Sequence, residues 1–349
     1  MFSLDQYIKY VEENDIKMDS IMVVQNDQLL GKHFFHEEID RNVYSIAKSF
    51  TCTAIGMLVE EGLLKVTDKP VDFFPEVVEE LERRKNAYAE KTATGLVGDC
   101  DGKVAGKDPD GLDDGMDPRW KDVTLENLMT MTSGHGAPYF MAVDRVYLRG
   151  EKEAKPDQTI LDEWLFYAFT RPMVYEPGEK FVYGNLAPYV AGRMVEKVTG
   201  MTLLDFLYER LWKPLGVKKP KWETDNVGHT FPASSLYLGI EDMVKFGLVF
   251  LGKGEYHGHR YVTESWVERA TSNILPSDVI NPTGDAPEEK QGYGYYFWQN
   301  SGEGYRAYGK EGQLIIILPS KNAVIVTQGR NRDCQQVFDV VKEFIYPQL

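Results

Sequence analysis

Ser45 and Lys48 stand three residues apart at the head of an apolar stretch. Residues i and i+3 of a helix share a face, so the amine would stand beside the hydroxyl. A serine hydroxyl needs a basic partner to act as a nucleophile. A close, partly desolvated lysine can serve directly, or can lower the pKa of a third group that does. A second pair, Tyr183 and Asn185, follows the turn Pro177-Gly178 and precedes another apolar helical run. Its phenol and amide are groups that move and hold protons. Near the C-terminus, Gly309 and Gly312 flank Lys310 and Glu311 just before the β-rich run Leu314-Ile315-Ile316-Ile317-Leu318. Glycines there allow close backbone approach.

The elements that must position these groups can be read from periodicity. Ser3 and Gln6 read as a capping box for a helix with Leu4, Tyr7, Ile8 and Val11 on one face. Residues 21–24 and 29–30 form two strands joined by the turn Asn26-Asp27. Ile46, Phe50, Ala54, Met57 and Leu58 recur at helical spacing, with Gly62 past the end. Further helices are expected over residues 124–131, 160–169, 186–198, 203–211 and 243–251. The strands 314–318 and 323–327 turn at Pro319-Ser320-Lys321-Asn322, and Val337, Phe338, Val341, Phe344 and Ile345 line a closing helix. Strands at both ends with helices between predict an α+β fold: one antiparallel sheet built from both termini, with an inserted, mainly helical lobe. The expected organisation is a single catalytic domain over residues 1–349, its sheet lobe at 1–50 and about 230–349 and its helical lobe at about 51–230. An exposed acidic excursion is expected near 80–120. Its Asp-rich segment, Asp108 to Gly115, fails the EF-hand calcium spacing because Leu112 stands at a ligand position, and it reads as a solvated loop.

Composition narrows the function classes. The 349 residues carry a net charge of −15, which argues against nucleic-acid and anionic membrane partners. No apolar run reaches the length of a membrane span, and the first residues lack a basic start and an apolar core. Cys52, Cys100 and Cys334 show no metal spacing. A cytoplasmic protein is therefore expected. The six histidines show no metal spacing and no Ser-His-Asp order, and Gly-x-Ser-x-Gly is absent. No cofactor or metal is expected, the oligomeric state is open, and the partner is a small molecule. The aromatic run Tyr293, Tyr295, Tyr296, Phe297 and Trp298 reads as core, with part of it able to line an acyl pocket, and Tyr139 and Phe140 as a loop at the cleft border.

The ordered set, Ser45-x-x-Lys48, Tyr183-x-Asn185 and a Gly-bearing C-terminal strand, resembles the serine β-lactamase and penicillin-binding family. It is most similar to the class C branch with its esterase and amide-hydrolase relatives. Phe73-Phe74-Pro75, Leu128 to Gly134, Pro177-Gly178-Glu179 and Asp242 to Gly247 are similar to that branch as well. The resemblance implies an acyl-enzyme on Ser45, with Lys48 lowering the pKa of Tyr183 so that Tyr183 takes the serine proton. It further implies that Asn185 donates to a substrate carbonyl, that the N–H groups of Ser45 and Lys310 form the oxyanion hole, and that Tyr308 and Gly309 border the bound substrate. Where β-lactam-binding members carry Lys-Thr-Gly, or His in first place, this chain has Ala307-Tyr308-Gly309. A second register would take Lys310-Glu311-Gly312. Ala307 has no charge for a substrate carboxylate, so the expected activity is a carboxylesterase or amidase on a small ester or amide. The alternatives are a D-amino-acid peptidase or linear amide hydrolase, a weak β-lactamase, or a catalytically silent ligand-binding protein.

Overall fold

The computed structural model describes residues 1–93, 115–140, 163–275 and 287–349. Residues 94–114, with Cys100 and nearly all of the segment expected as a solvated acidic loop, and residues 160–162 of the helix expected at 160 lie outside them.

The two chain ends pair, as expected of an α+β fold. The strands Met18–Gln25, Gln28–Phe34, Trp298–Gln299, Tyr305–Gly309, Gln313–Leu318 and Ala323–Gly329 form one antiparallel sheet. The first strand lies between Gln28–Phe34 and the last strand, with Ile21 opposite Thr327 and Val24 opposite Val324. The hairpin turns that join Met18–Gln25 to Gln28–Phe34 and Gln313–Leu318 to Ala323–Gly329 use non-glycine residues in the left-handed region, Asn26 and Asp27 in one and Asn322 in the other, as polar turn residues tolerate.

Strand alternation sends side chains to two cores. Leu314, Ile316, Leu318, Ile21, Val23 and Ile325 face the terminal helices Asp5–Glu13 and Cys334–Phe344. Ile315, Ile317, Val324 and Val326 face the opposite layer, which holds the helices Ile46–Glu60 and Ile240–Leu251. Residues 46–58 are all buried, so the helix that starts beside Ser45 is central to the molecule. The expected capping box at the N-terminus is replaced by a looser arrangement. Leu4 is the cap residue, Ser3 Oγ accepts from Asp5 N at 3.0 Å, and Gln348 bridges the Ser3 backbone. The C-terminal turn thus supplies what Gln6 was expected to supply.

A second, three-stranded sheet of Arg41–Asn42, Leu236–Leu238 and Lys221–Trp222 sets the chain entering the central helix. It continues through Val43 N, which donates to Leu236 O at 2.8 Å. From the main sheet, Gly309 comes so close that a Cβ there would lie 2.2 Å from Val43 O. The strand carrying Gly309 and the segment carrying Ser45 are therefore in van der Waals contact only because residue 309 is glycine. Gly309→Ala is expected to lower stability by about 1–3 kcal/mol, the usual cost of overpacking; chemical denaturation with the midpoint compared at constant slope checks it.

Candidate active site

The central helix opens with Ser45 as its cap residue. The residue before it, Tyr44, has φ +48°, and its N–H donates to Asn42 Oδ1 at 2.8 Å. Ile46 N, Ala47 N and Lys48 N then bond to Val43 O, Tyr44 O and Ser45 O. These turns leave the N–H of Ser45 without an acceptor among the described residues. Lys48 follows one turn on and is 1% exposed. Its Nζ lies 2.8 Å from each of three oxygens: Ser45 Oγ, Asn185 Oδ1 and Ala233 O.

Two of those three oxygens can only accept. The hydroxyl of Ser45 can accept or donate. An ammonium on Lys48 has one N–H for each oxygen. A neutral amine keeps its N–H groups on Asn185 and Ala233 and turns its lone pair toward Ser45 Oγ. The same heavy-atom geometry serves both states, which differ by one proton along the Ser45–Lys48 bond. Chemically, such a pair can pass a proton and so activate the Ser45 hydroxyl as a nucleophile.

Tyr183 and Asn185 arrive from the loop ahead of the helix Leu186–Thr199. A Cβ on Gly184 would sit 3.1 Å from Pro138 Cα, so the glycine lets the two loops meet. Asn185 N donates to Tyr139 O at 3.1 Å across that junction. Tyr183 is half-buried against Phe181, Tyr293 and Trp298, and Lys48 Nζ lies 5.0 Å from the centre of its ring. Burial pushes its phenol above the ordinary tyrosine range, a hydrogen bond with Ser45 pulls it back, and the carboxylate of Glu289 pushes it further up.

This corrects one expected feature. The lowered tyrosine pKa is not found: Lys48 sits over the ring face, and the enclosure of Tyr183 outweighs the favourable contact with Ser45. Tyr183 is therefore a neutral O–H donor at rest. Asn185 turns one of its two amide N–H groups to Phe140 O, 3.0 Å from Nδ2, while Oδ1 accepts from Lys48.

On the C-terminal strand, Ala307 is fully buried and faces the helix layer, whereas Tyr308 faces the other way, with Arg306 5.4 Å from its ring centre. Gly309 is held against Val43, close to the nucleophile, and Lys310 begins the turn to the next strand. Lys310 N–H, like that of Ser45, has no acceptor among the described residues. Glu311, with φ +67°, accepts a hydrogen bond from Tyr44 OH at 2.9 Å. Two non-glycine residues in the left-handed region thus meet next to Ser45. Sequence reading missed Tyr44, Glu311 and the carbonyls of Ala233 and Phe140. Main-chain oxygens carry no residue signature, and nothing in the sequence around Tyr44 marks its φ.

The aromatic run 293–298 is mainly core: all five members are buried, while Tyr293 and Trp298 wall Tyr183. The histidines stay outside the proton-transfer pair. His135 is buried, with Nδ1 2.9 Å from Ser133 Oγ and its ring against Trp120 and Tyr139. No group of metal ligands occurs, and no helix is long and apolar enough to cross a membrane, among the described residues.

A family profile described as Beta-lactamase matches residues 16–328, and the chain belongs to that family. It is 30% identical over 186 residues to lovastatin esterase from Penicillium rubens, covering 52% of this chain and 39% of that protein. It is 20% identical over 315 residues to 6-aminohexanoate-dimer hydrolase from Paenarthrobacter ureafaciens, covering 88% and 71%. The chain thus spans well under half of the first of these relatives. A D-stereospecific amidohydrolase from Streptomyces superimposes with a TM-score of 0.65 at 16% identity, covering 99% of each chain, which establishes the shared fold.

Two outcomes follow. Lys48→Met should abolish Ser45-dependent chemistry while leaving two buried acceptors without their donor, lowering stability by about 1–3 kcal/mol; ester hydrolysis and thermal unfolding read the two effects separately. Burial lowers the pKa of His135 to about 4; Asp117 pushes it up by less, and Arg171 and Arg119 push it further down. Its folded value lies below the unfolded one of about 6.5, so between these pH values the unfolded chain holds more protons. Its stabilising contribution is full above about pH 6.5 and is lost as pH falls toward 4, on the order of 3 kcal/mol in all. Unfolding curves at pH 7 and pH 5 should diverge by less in His135→Gln than in the wild type.

Proposed function

We propose that this member of the Beta-lactamase family hydrolyses small esters or amides through an acyl-enzyme on Ser45. The observation that carries the reading is the three-oxygen cradle around Lys48 Nζ, with Ser45 Oγ as the one oxygen able to give up a proton. In this reading the Ser45 proton passes to the neutral amine of Lys48 as Oγ bonds to the substrate carbonyl carbon. The carbonyl electron pair moves onto oxygen, where the N–H groups of Ser45 and Lys310 receive it. Collapse of that intermediate breaks the bond to the leaving group, which takes a proton from Tyr183; the Lys48 ammonium restores the phenol. Water then repeats the sequence on the acyl-enzyme, releasing the acid and freeing Ser45.

Ester and amide substrates are preferred over β-lactams because Ala307 is buried and uncharged where β-lactam-binding relatives hold a cation. The names of the relatives, an esterase and two amide hydrolases, support the same range. A linear amide with a cationic group is the second reading, favoured by the Glu311 carboxylate tethered to Tyr44 beside the nucleophile. We place the protein in the cytoplasm on its cysteine usage: Cys52 and Cys334 are both free and buried.

Incubation with a fluorophosphonate should add one phosphonyl group to Ser45, read by peptide mass spectrometry. Ser45→Ala that still hydrolysed p-nitrophenyl esters at the wild-type rate would sink the proposal. Tyr183→Phe should lower kcat by about 10²–10⁴, and more for amides than for activated esters, because an amine leaving group needs the proton and a nitrophenolate does not. Ratios of kcat/KM for p-nitrophenyl acetate, an aminoacyl anilide and nitrocefin rank the three substrate classes, with nitrocefin expected last.

A further inference from the structure

Phe140 has φ +60° although it is a bulky residue, and its side chain is fully buried. Such a conformation costs free energy and persists only where its surroundings over-determine it. Here the ring lies near parallel to Tyr189 and Trp164, at 5.0 and 5.4 Å between centres, with Tyr167 edge-on at 5.1 Å. Tyr189 is itself anchored, its OH donating to Asp225 Oδ2 at 2.8 Å. The strained backbone so held aims the Phe140 carbonyl at Asn185 Nδ2, 3.0 Å away.

That contact has a consequence for Lys48. Reversing the Asn185 amide would set its carbonyl against the Phe140 carbonyl and its N–H₂ against the amine of Lys48. With Phe140 O in place, one orientation survives, the one that sets Oδ1 on Lys48 Nζ. Phe140 therefore does at one remove what Asn185 does in contact.

We propose that Phe140 is a positioning residue for the Ser45–Lys48 pair, acting through its main-chain carbonyl and the Asn185 amide. The proposal rests on the hydrolase reading above. It predicts that Phe140→Ala lowers kcat on p-nitrophenyl acetate by about 10- to 100-fold, the cost of ångström-scale misplacement, with KM little changed. Asn185→Ala should lose a similar factor, and the double variant should lose no more than Asn185→Ala alone, since both break one chain of contacts. The acidic limb of kcat/KM should move to lower pH in all three, because a loosened acceptor holds the ammonium less well.

If Phe140→Ala does not fold, Phe140→Leu, which keeps a bulky apolar side chain but no planar stack, enters the same cycle. Additive losses, an unmoved acidic limb, or wild-type kcat in a folded Phe140 variant would each overturn the proposal. Ser45→Ala in the same assay keeps the two ideas apart. If it retains activity the hydrolase reading fails; if Ser45 is essential while the losses add, only the role of Phe140 falls.

Discussion

A lysine amine enclosed among oxygens is the constraint around which this molecule is arranged. Lys48 is almost wholly buried, and a charge there is costly unless hydrogen bonds replace its water. The replacements come from distant stretches of the chain: the first turn of the central helix, the loop ahead of Leu186–Thr199, and the segment leading into Leu236–Leu238. Each must arrive within hydrogen-bond range of one nitrogen. The small three-stranded sheet, the Gly184 junction and the apolar packing of residues 46–58 are the means by which they do so.

The same enclosure separates the roles of lysine and tyrosine. Tyr183 gains from Ser45 less than it loses to burial and to Glu289, so it holds its proton. Lys48 has neutral oxygens around it and a hydroxyl in reach. Preorganisation of this kind is where enzymes gain most of their electrostatic advantage. Two non-glycine residues in the left-handed region border the cradle: Tyr44, directly before Ser45, and Phe140, whose carbonyl accepts from the Asn185 amide.

Much of the fold was legible because it follows local rules. The strand Leu314 to Leu318 and its partner after Asn322 alternate between two apolar layers, and the stretch after Ser45 is apolar on most sides because helices and sheet cover it. The capping box at Ser3 was misread for a tertiary reason: Gln348, at the far end of the chain, takes the Ser3 backbone. Lys48 beside Ser45 was legible because three-residue spacing on a helix determines it. The protein partner of the Asn185 amide was not, since the carbonyl that accepts from it belongs to Phe140, 45 residues away in the chain.

The sequence alone determined residue types, their spacing and their order, and with them the strands, the helices and the presence of a serine, a lysine, a tyrosine and an asparagine able to act together. Those features depend on neighbours within a few residues, where backbone geometry leaves few options. Only the tertiary structure decided which group keeps its proton and which way an amide points. Burial, main-chain carbonyls and strained φ angles set those outcomes, and each arises from segments that meet only when the chain is folded.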